Sequence, residues 1–181
     1  MKLQNKNVLV TGGAGFIPSH IVDLLVAMGA HVTVVDTLQA GKMDNLHKAL
    51  PEIEFIKADI QDREKMKQII KKQDVVMHLA ANADVPYSVR NPEYDFDVNA
   101  NGGFSILHSC LNTNVQKVVY ASTAAVYGTA KYKPIDEEHS VEPVSPYGAS
   151  KLSTEKLGMA YQRTYGLPFT AIRIFNIYGE R

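Results

Sequence analysis

Tyr147 and Lys151 stand four residues apart in Tyr147-Gly-Ala-Ser-Lys151, a spacing that puts a phenol and an ammonium on one face of a helix, one turn apart. A positive charge beside a phenol favours the phenolate, so the pair reads as a tyrosine base whose pKa is drawn toward neutrality. Upstream, Lys117-Val-Val-Tyr-Ala-Ser122 reads as a strand closed by two hydroxyls, Ser122 and Thr123. The Thr123 hydroxyl is expected to hold a substrate oxygen, with Ser122 as the alternative, because spacing alone does not resolve a difference of one residue. An isolated Tyr–Lys pair of this kind commonly does no more than stabilise a helix surface. Its meaning depends on what precedes it.

What precedes it is Val8-Leu-Val-Thr-Gly-Gly-Ala-Gly-Phe-Ile-Pro-Ser-His20, where an apolar run breaks into glycines and then takes on a helical pattern. A strand, a tight turn and a helix start in this order suit a pyrophosphate: glycine permits positive φ and close backbone approach, and the first helical N–H groups are free donors at the positive end of the helix dipole. Gly12 and Gly15 take the first two glycine places. His31-Val-Thr-Val-Val-Asp36 is a second strand ending in an acid about 20 residues further on, the expected partner of a ribose diol. The implied ligand is a dinucleotide, and Asp36 favours NAD over NADP. Position 18, where the fingerprint has its third glycine, is Pro18. Proline is tolerated in a first helical turn, so the helix is expected to persist. Its close packing and the pyrophosphate fit are expected to suffer, and Pro18→Gly to tighten NAD binding. The other reading of the turn is a purely structural strand–helix corner. Behind a dinucleotide turn and a hydroxyl-ended strand, the Tyr147–Lys151 pair points to chemistry, and a bound nicotinamide cation would add to the effect of Lys151.

The elements that must position these groups alternate along the chain. The first helix ends near Met28 with Gly29 as C-cap, and an irregular segment runs from Gly41 to Leu50 after the second strand. Glu54–Lys57 is the third strand, followed by Asp59 and Ile60. Asp62 caps a helix from Arg63 to Lys72 whose lysines form a solvated face. Asp74–Ala80 is the fourth strand. A single helix from about Glu93 to Leu111 leads to the fifth, and one from Pro146 to Tyr165 to the sixth, Phe169–Phe175. This order predicts an α/β fold: a Rossmann-type doubly wound parallel sheet with helices on both faces, one domain over residues 1–181. Ligands of such sheets bind outside the carboxyl ends of the strands, where the polar residues fall here.

Composition agrees with one ordinary globular domain, with 45% hydrophobic and 21% charged residues over 181 positions. Nineteen basic and nineteen acidic residues leave no general pull toward nucleic acid or an anionic membrane, and neither is expected as a partner. No apolar run reaches the roughly 18 residues of a spanning helix. A lone cysteine, Cys110, reads as a small buried thiol in a reducing compartment, and the cytoplasm is the expected location. The six histidines show no metal-ligand spacing, and His78 reads as a packing residue within its strand.

In combination, Thr11-Gly-Gly-Ala-Gly-Phe-Ile-Pro-Ser-His20, Asp36, Asp59-Ile60, His78-Leu-Ala-Ala81, Val98-Asn99, Ser122-Thr-Ala-Ala-Val-Tyr-Gly128, Tyr147 to Lys151 and Arg173-Ile-Phe-Asn-Ile-Tyr-Gly179 resemble the extended short-chain dehydrogenase/reductases. Within these the chain is similar, from Asn7 to Arg181, to the NAD-dependent sugar-nucleotide epimerases of UDP-glucose 4-epimerase type. The resemblance implies that Gly12, Gly15, Phe16 and Ile17 line the pyrophosphate, that Asp36 meets the adenosine ribose, and that Asp59 and Ile60 meet the adenine. It places Leu79, Ala80 and Ala81 along the middle of the cofactor, and Tyr147 and Lys151 at the nicotinamide ribose. Asn99 helps order the site, or serves as a structural hydrogen-bonding residue. Thr123, Tyr147 and Asn176 are implied to contact a UDP-hexose. Related dehydratases carry acids after the strand-five hydroxyls, where this chain has Ala124 and Ala125, which favours reversible oxidation at the sugar C4. The relatives pair two helices across a two-fold axis, so a homodimer is expected, with Phe104, Leu107, Leu111, Leu152, Leu157 and Met159 divided between that contact and the sheet. They also carry a carboxyl-terminal substrate domain beyond Gly179. These 181 residues are expected to be the NAD-binding portion alone, weakly active or inactive by themselves. A sugar-nucleotide reductase or dehydrogenase and a non-catalytic dinucleotide-binding module are the alternatives.

Overall fold

The computed structural model describes residues 2–181. Six parallel strands form one sheet in the order β3-β2-β1-β4-β5-β6: β1 Asn7–Thr11, β2 His31–Asp36, β3 Ile53–Lys57, β4 Val75–His78, β5 Lys117–Thr123 and β6 Phe169–Ile174. Order reverses between β1 and β4, which diverge into opposite halves and leave a crevice at their carboxyl ends. This is the Rossmann-type α/β sheet that the alternation predicts.

Both faces of the sheet are buried, and the strands show it residue by residue. In β1, Val8 and Val10 join a core with Val22 and Leu25, while Leu9 between them points to the opposite core, with Met66, Ile106, Leu107 and Val118. The first core is covered by α1, Phe16–Ala27; the second lies under α2, Arg63–Ile70, and α5, Gly102–Cys110. Cys110 is buried there as a free thiol. Leu107 is a core residue, Leu157 and Met159 pack against the same core, and Phe104, Leu111 and Leu152 remain half-buried.

Helix limits follow their caps. Asp62 accepts from Lys65 N at 3.1 Å to start α2, and Gly166, at φ +71°, ends α6, Pro146–Tyr165. α1 runs through Pro18 intact, with Ser19 N donating to Gly15 O at 3.1 Å. The stretch before β5 departs from expectation. An extra helix, α3 Val85–Arg90, is capped by Asp84, and Asn91, the residue before Pro92, is kept out of the helical region, with φ −134° and ψ 64°. The expected single helix is then α4, Pro92–Phe96, joined to α5 by a π-helical turn, Asp97–Asn101. The segment between β2 and β3 carries two short 3₁₀ turns, Met43–Leu46 and Leu50–Glu52.

α5 and α6 touch where Gly103 meets Thr154. A Cβ at Gly103 would lie 2.3 Å from the Thr154 hydroxyl and 2.6 Å from its methyl. Gly103→Ala is therefore expected to lower stability by about 1–3 kcal/mol, despite alanine's better helix propensity. Urea unfolding measures this, and an unchanged or raised midpoint would show that the two helices separate at no cost.

Candidate functional site

The crevice between β1 and β4 opens into a cavity of about 620 Å³ over the carboxyl ends of the strands. Gly12, Gly15, Phe16, Ile17 and Pro18 form one wall. Asp36, Asp59 and Ile60 line the side of β2 and β3, and Leu79, Ala80 and Ala81 the side of β4. The volume is that of a cofactor site. Gly12 has φ +71°, and a Cβ on it would sit 2.7 Å from Ala80 Cα, so the first turn closes against β4 only with glycine there. No side chain caps α1 and no acid occupies its first turn. Among the described hydrogen bonds, the amides of Phe16 and Ile17 find no acceptor, which leaves two donors for an anion at the helix start.

Asp36 is built into the wall rather than hung from it. Its Oδ2 accepts from Ala14 N at 3.0 Å and its Oδ1 from Leu38 N at 2.7 Å. Each carboxylate oxygen retains a lone pair for a further donor. Asp59 accepts from Gln61 N at 2.9 Å, and Ile60 is buried beneath the cavity floor. Tyr94 on α4 donates to Gln39 Oε1 at 3.0 Å, joining two residues of the lining.

Sequence reading missed the residue that fixes the crevice. Thr11 Oγ1 accepts from Leu79 N and Ala80 N, both at 3.1 Å, and donates to His78 Nδ1 at 2.9 Å. The imidazole is thus an acceptor at Nδ1. Burial and the nearby Lys151 charge push the His78 pKa down to about 3, which keeps the ring neutral.

The catalytic candidates stand apart from this lining. Ser145 caps α6 by accepting from Gly148 N at 3.1 Å, and Ser88 of α3 accepts from Tyr147 N at 3.2 Å. The structure separates the two hydroxyls that spacing left open. Ser122 is buried and donates to Glu155 Oε2 at 2.7 Å, while Glu155 pairs with Arg173 at 2.6 Å. Thr123, on the opposite side of the strand, accepts from Ala125 N at 3.2 Å, and its hydroxyl lies close enough to the Tyr147 phenol to favour the phenolate. Ser122 is therefore a buried partner of Glu155, and Thr123 alone faces Tyr147.

Lys151 is 2% exposed, with its ammonium 4.4 Å above the Tyr120 ring. Burial draws its pKa down to about 7, opposed by Asp95. Burial also raises the Tyr147 phenol, with the Thr123 hydrogen bond pulling the other way and Asp95 adding to the rise. The lowered phenol expected from Lys151 is thus not a property of these side chains alone, because the ammonium lies on Tyr120 and is itself desolvated.

Asn99 sits in the π turn, outside the cavity lining. Its Oδ1 accepts from Asn82 N at 2.9 Å, its Nδ2 donates to Asp95 Oδ1 at 3.0 Å, and its carbonyl accepts from Thr154 Oγ1 at 2.9 Å. Asn176 is exposed in the segment after β6 and is not brought into the cavity. Among the described residues no cluster of His, Cys, Asp and Glu is arranged for a metal, and no helix is long and apolar enough to cross a membrane.

A sequence model of the family described as GDP-mannose 4,6 dehydratase matches residues 9–181. A UDP-glucose 4-epimerase of Lactobacillus helveticus is 40% identical over 175 residues, covering 95% of this chain and 52% of that protein. Among solved structures, the UDP-N-acetylglucosamine 4-epimerase from Methanobrevibacter ruminantium M1 in complex with UDP-N-acetylmuramic acid has a TM-score of 0.92 at 41% identity, covering 97% of this chain and 56% of its own. DesIV, a dTDP-glucose 4,6-dehydratase from Streptomyces venezuelae with NAD and TYD bound, has a TM-score of 0.87 at 35% identity, covering 92% and 55%. The chain spans about half the length of the relatives it matches.

The buried ammonium makes stability depend on pH. Unfolded, Lys151 binds its proton with the ordinary pKa of 10.5, and folded with one of about 7, so its penalty is full below about pH 7 and fades as pH rises to 10.5. The urea midpoint is expected to carry an upward contribution over that range, which Lys151→Met removes. Parallel pH profiles for the two proteins would refute it.

Proposed function

Because the chain belongs to the GDP-mannose 4,6-dehydratase family, we propose that it supplies the NAD-binding and catalytic half of a nucleotide-sugar 4-epimerase acting on UDP-hexoses. The observation that carries this reading is the Thr123 hydroxyl set against the Tyr147 phenol, followed by two residues, Ala124 and Ala125, that can exchange no proton. A dehydratase needs an acid and a base near the hydroxyls to expel water, and these positions offer neither.

The residues present fit NAD. The free amides of Phe16 and Ile17 and the close turn at Gly12 suit the pyrophosphate, and the lone pairs of Asp36 suit an unphosphorylated ribose diol. Bound NAD would supply a hydride acceptor and a positive charge. Thr123 would hold the oxygen of the sugar C4 hydroxyl, and Tyr147 would take its proton as C4 is oxidised. Tyr147 would return that proton when C4 is reduced from its other face, so no net oxidation would remain. Ser88 and Ser145 fix the backbone from which Tyr147 projects, and Lys151 would meet the nicotinamide ribose.

These 181 residues are expected to turn over slowly alone, since holding the substrate accounts for up to about 7–11 kcal/mol of barrier lowering in well-oriented systems. The test is side-by-side calorimetric titration with NAD and NADP, followed by assay of UDP-glucose and UDP-galactose interconversion with a family carboxyl-terminal domain supplied. Expected are tighter binding of NAD and an increased rate that Tyr147→Phe abolishes. Tighter NADP binding would sink the role of Asp36, net release of NADH would indicate a dehydrogenase, and binding without any conversion would indicate a binding module.

Homodimerisation through α4–α5 and α6 belongs to the same reading, supported by the half-buried Phe104, Leu111 and Leu152. Light scattering is expected to give the dimer mass, and a monomer at all concentrations would overturn it.

A further inference from the structure

Asp95 is a carboxylate with 0% exposure. Its Oδ1 accepts from Asn82 Nδ2 at 2.8 Å and Asn99 Nδ2 at 3.0 Å, and its Oδ2 from Ser150 Oγ at 2.6 Å. Three segments meet on it: the cavity wall at Asn82, the π turn at Asn99 and the first turns of α6 at Ser150. All three partners are neutral, so the negative charge has hydrogen bonds but no counter-ion in contact.

Lys151, next to Ser150, has the complementary problem. No described carboxylate forms an ion pair with it. Its charge acts on His78 from β4 and meets that of Asp95 from α4, its ammonium lies over Tyr120 from β5, and Tyr147 and Glu155 from α6 act on that same ring. His78 is held neutral, the phenols are protonated, and Glu155 is engaged by Ser122 and Arg173. Asp95 is the remaining negative charge.

We propose that Asp95 is a positioning residue whose buried charge, fixed by Asn82, Asn99 and Ser150, keeps the Lys151 ammonium protonated and in place over the Tyr120 ring. The role of that ammonium toward the cofactor rests on the proposed function; the pairing of the two charges does not. Burial alone works against the charged lysine, and Asp95 is the influence that opposes it.

The test is Asp95→Asn, which removes charge while keeping shape. The new amide can donate to Ser150 Oγ, whose own hydrogen is free to turn to Tyr147 O, 3.0 Å away. The midpoint of Lys151 protonation is read by NMR from ¹³Cε-labelled lysine, assigned by the signal lost in Lys151→Met. It is expected to fall by about one pH unit or more in Asp95→Asn. An unchanged midpoint overturns the proposal, because a merely structural aspartate would leave it where it is. Should Asp95→Asn fail to fold, the double variant with Lys151→Met decides. It folds if the defect was an unbalanced ammonium, and stays unfolded if Asp95 is only structural. Failure to bind NAD would remove the proposed function and leave this measurement standing.

Discussion

Two N–H groups of the chain leaving β4 end on one side-chain oxygen, Thr11 Oγ1, and the geometry of the site depends on that convergence. At a switch point the two halves of a parallel sheet part company, and nothing in the strand ladder itself specifies how wide the gap is. The Thr11 hydroxyl sets it by taking Leu79 and Ala80 from across the gap and giving its hydrogen to His78. Gly12 can then lie against Ala80, and α1 begins with its free amides directed to the crevice. Exchanging threonine for valine would keep the shape and orphan both amides, a penalty of about 1–3 kcal/mol for each buried donor.

Much of this was legible in the chain. The apolar runs of β1, β2, β4 and β5 announced buried parallel strands. Asp62 and Gly166 marked helix ends, and the glycine turn with Asp36 located the crevice and its acid. Pro18 sits in α1 without breaking it, because the third helical residue has no intrahelical acceptor for its N–H. What was illegible comes from contacts between residues far apart in sequence. Ser122 and Thr123 look alike until Glu155 claims one of them from 33 residues away. Asp95 reads as one acid in a polar stretch until Ser150, 55 residues on, closes over it. The π turn was hidden because its Asn99 carbonyl takes a second donor, Thr154, a partner no local pattern contains.

The layer beneath α6 concentrates ionisable groups that a protein selected only for stability would replace by apolar ones. Lys151, His78, Asp95 and Glu155 are all within 2% of complete burial. Only the last has an ion-pair partner, Arg173. His78 meets the problem by staying neutral, Glu155 by direct pairing, and Asp95 by three neutral donors. The fold spends stability here to keep a charged side chain dry beside a phenol, which is where low dielectric makes a single charge effective.

The span of these contacts also sets the order in which the site comes into being during synthesis. β1, β2 and β4 and the helices between them are complete before residue 80, so the crevice with its Thr11 bridge forms from the first half of the chain. Asp95 emerges next, with Asn82 already at hand and Asn99 four residues behind, yet its second oxygen lacks its protein partner until Ser150 leaves the ribosome. A nascent chain holding residues up to about the end of β5 therefore carries an acid that still lacks one of its three donors. Docking of α6 is the event that dries it, and the same event delivers Tyr147 and Lys151 to their places.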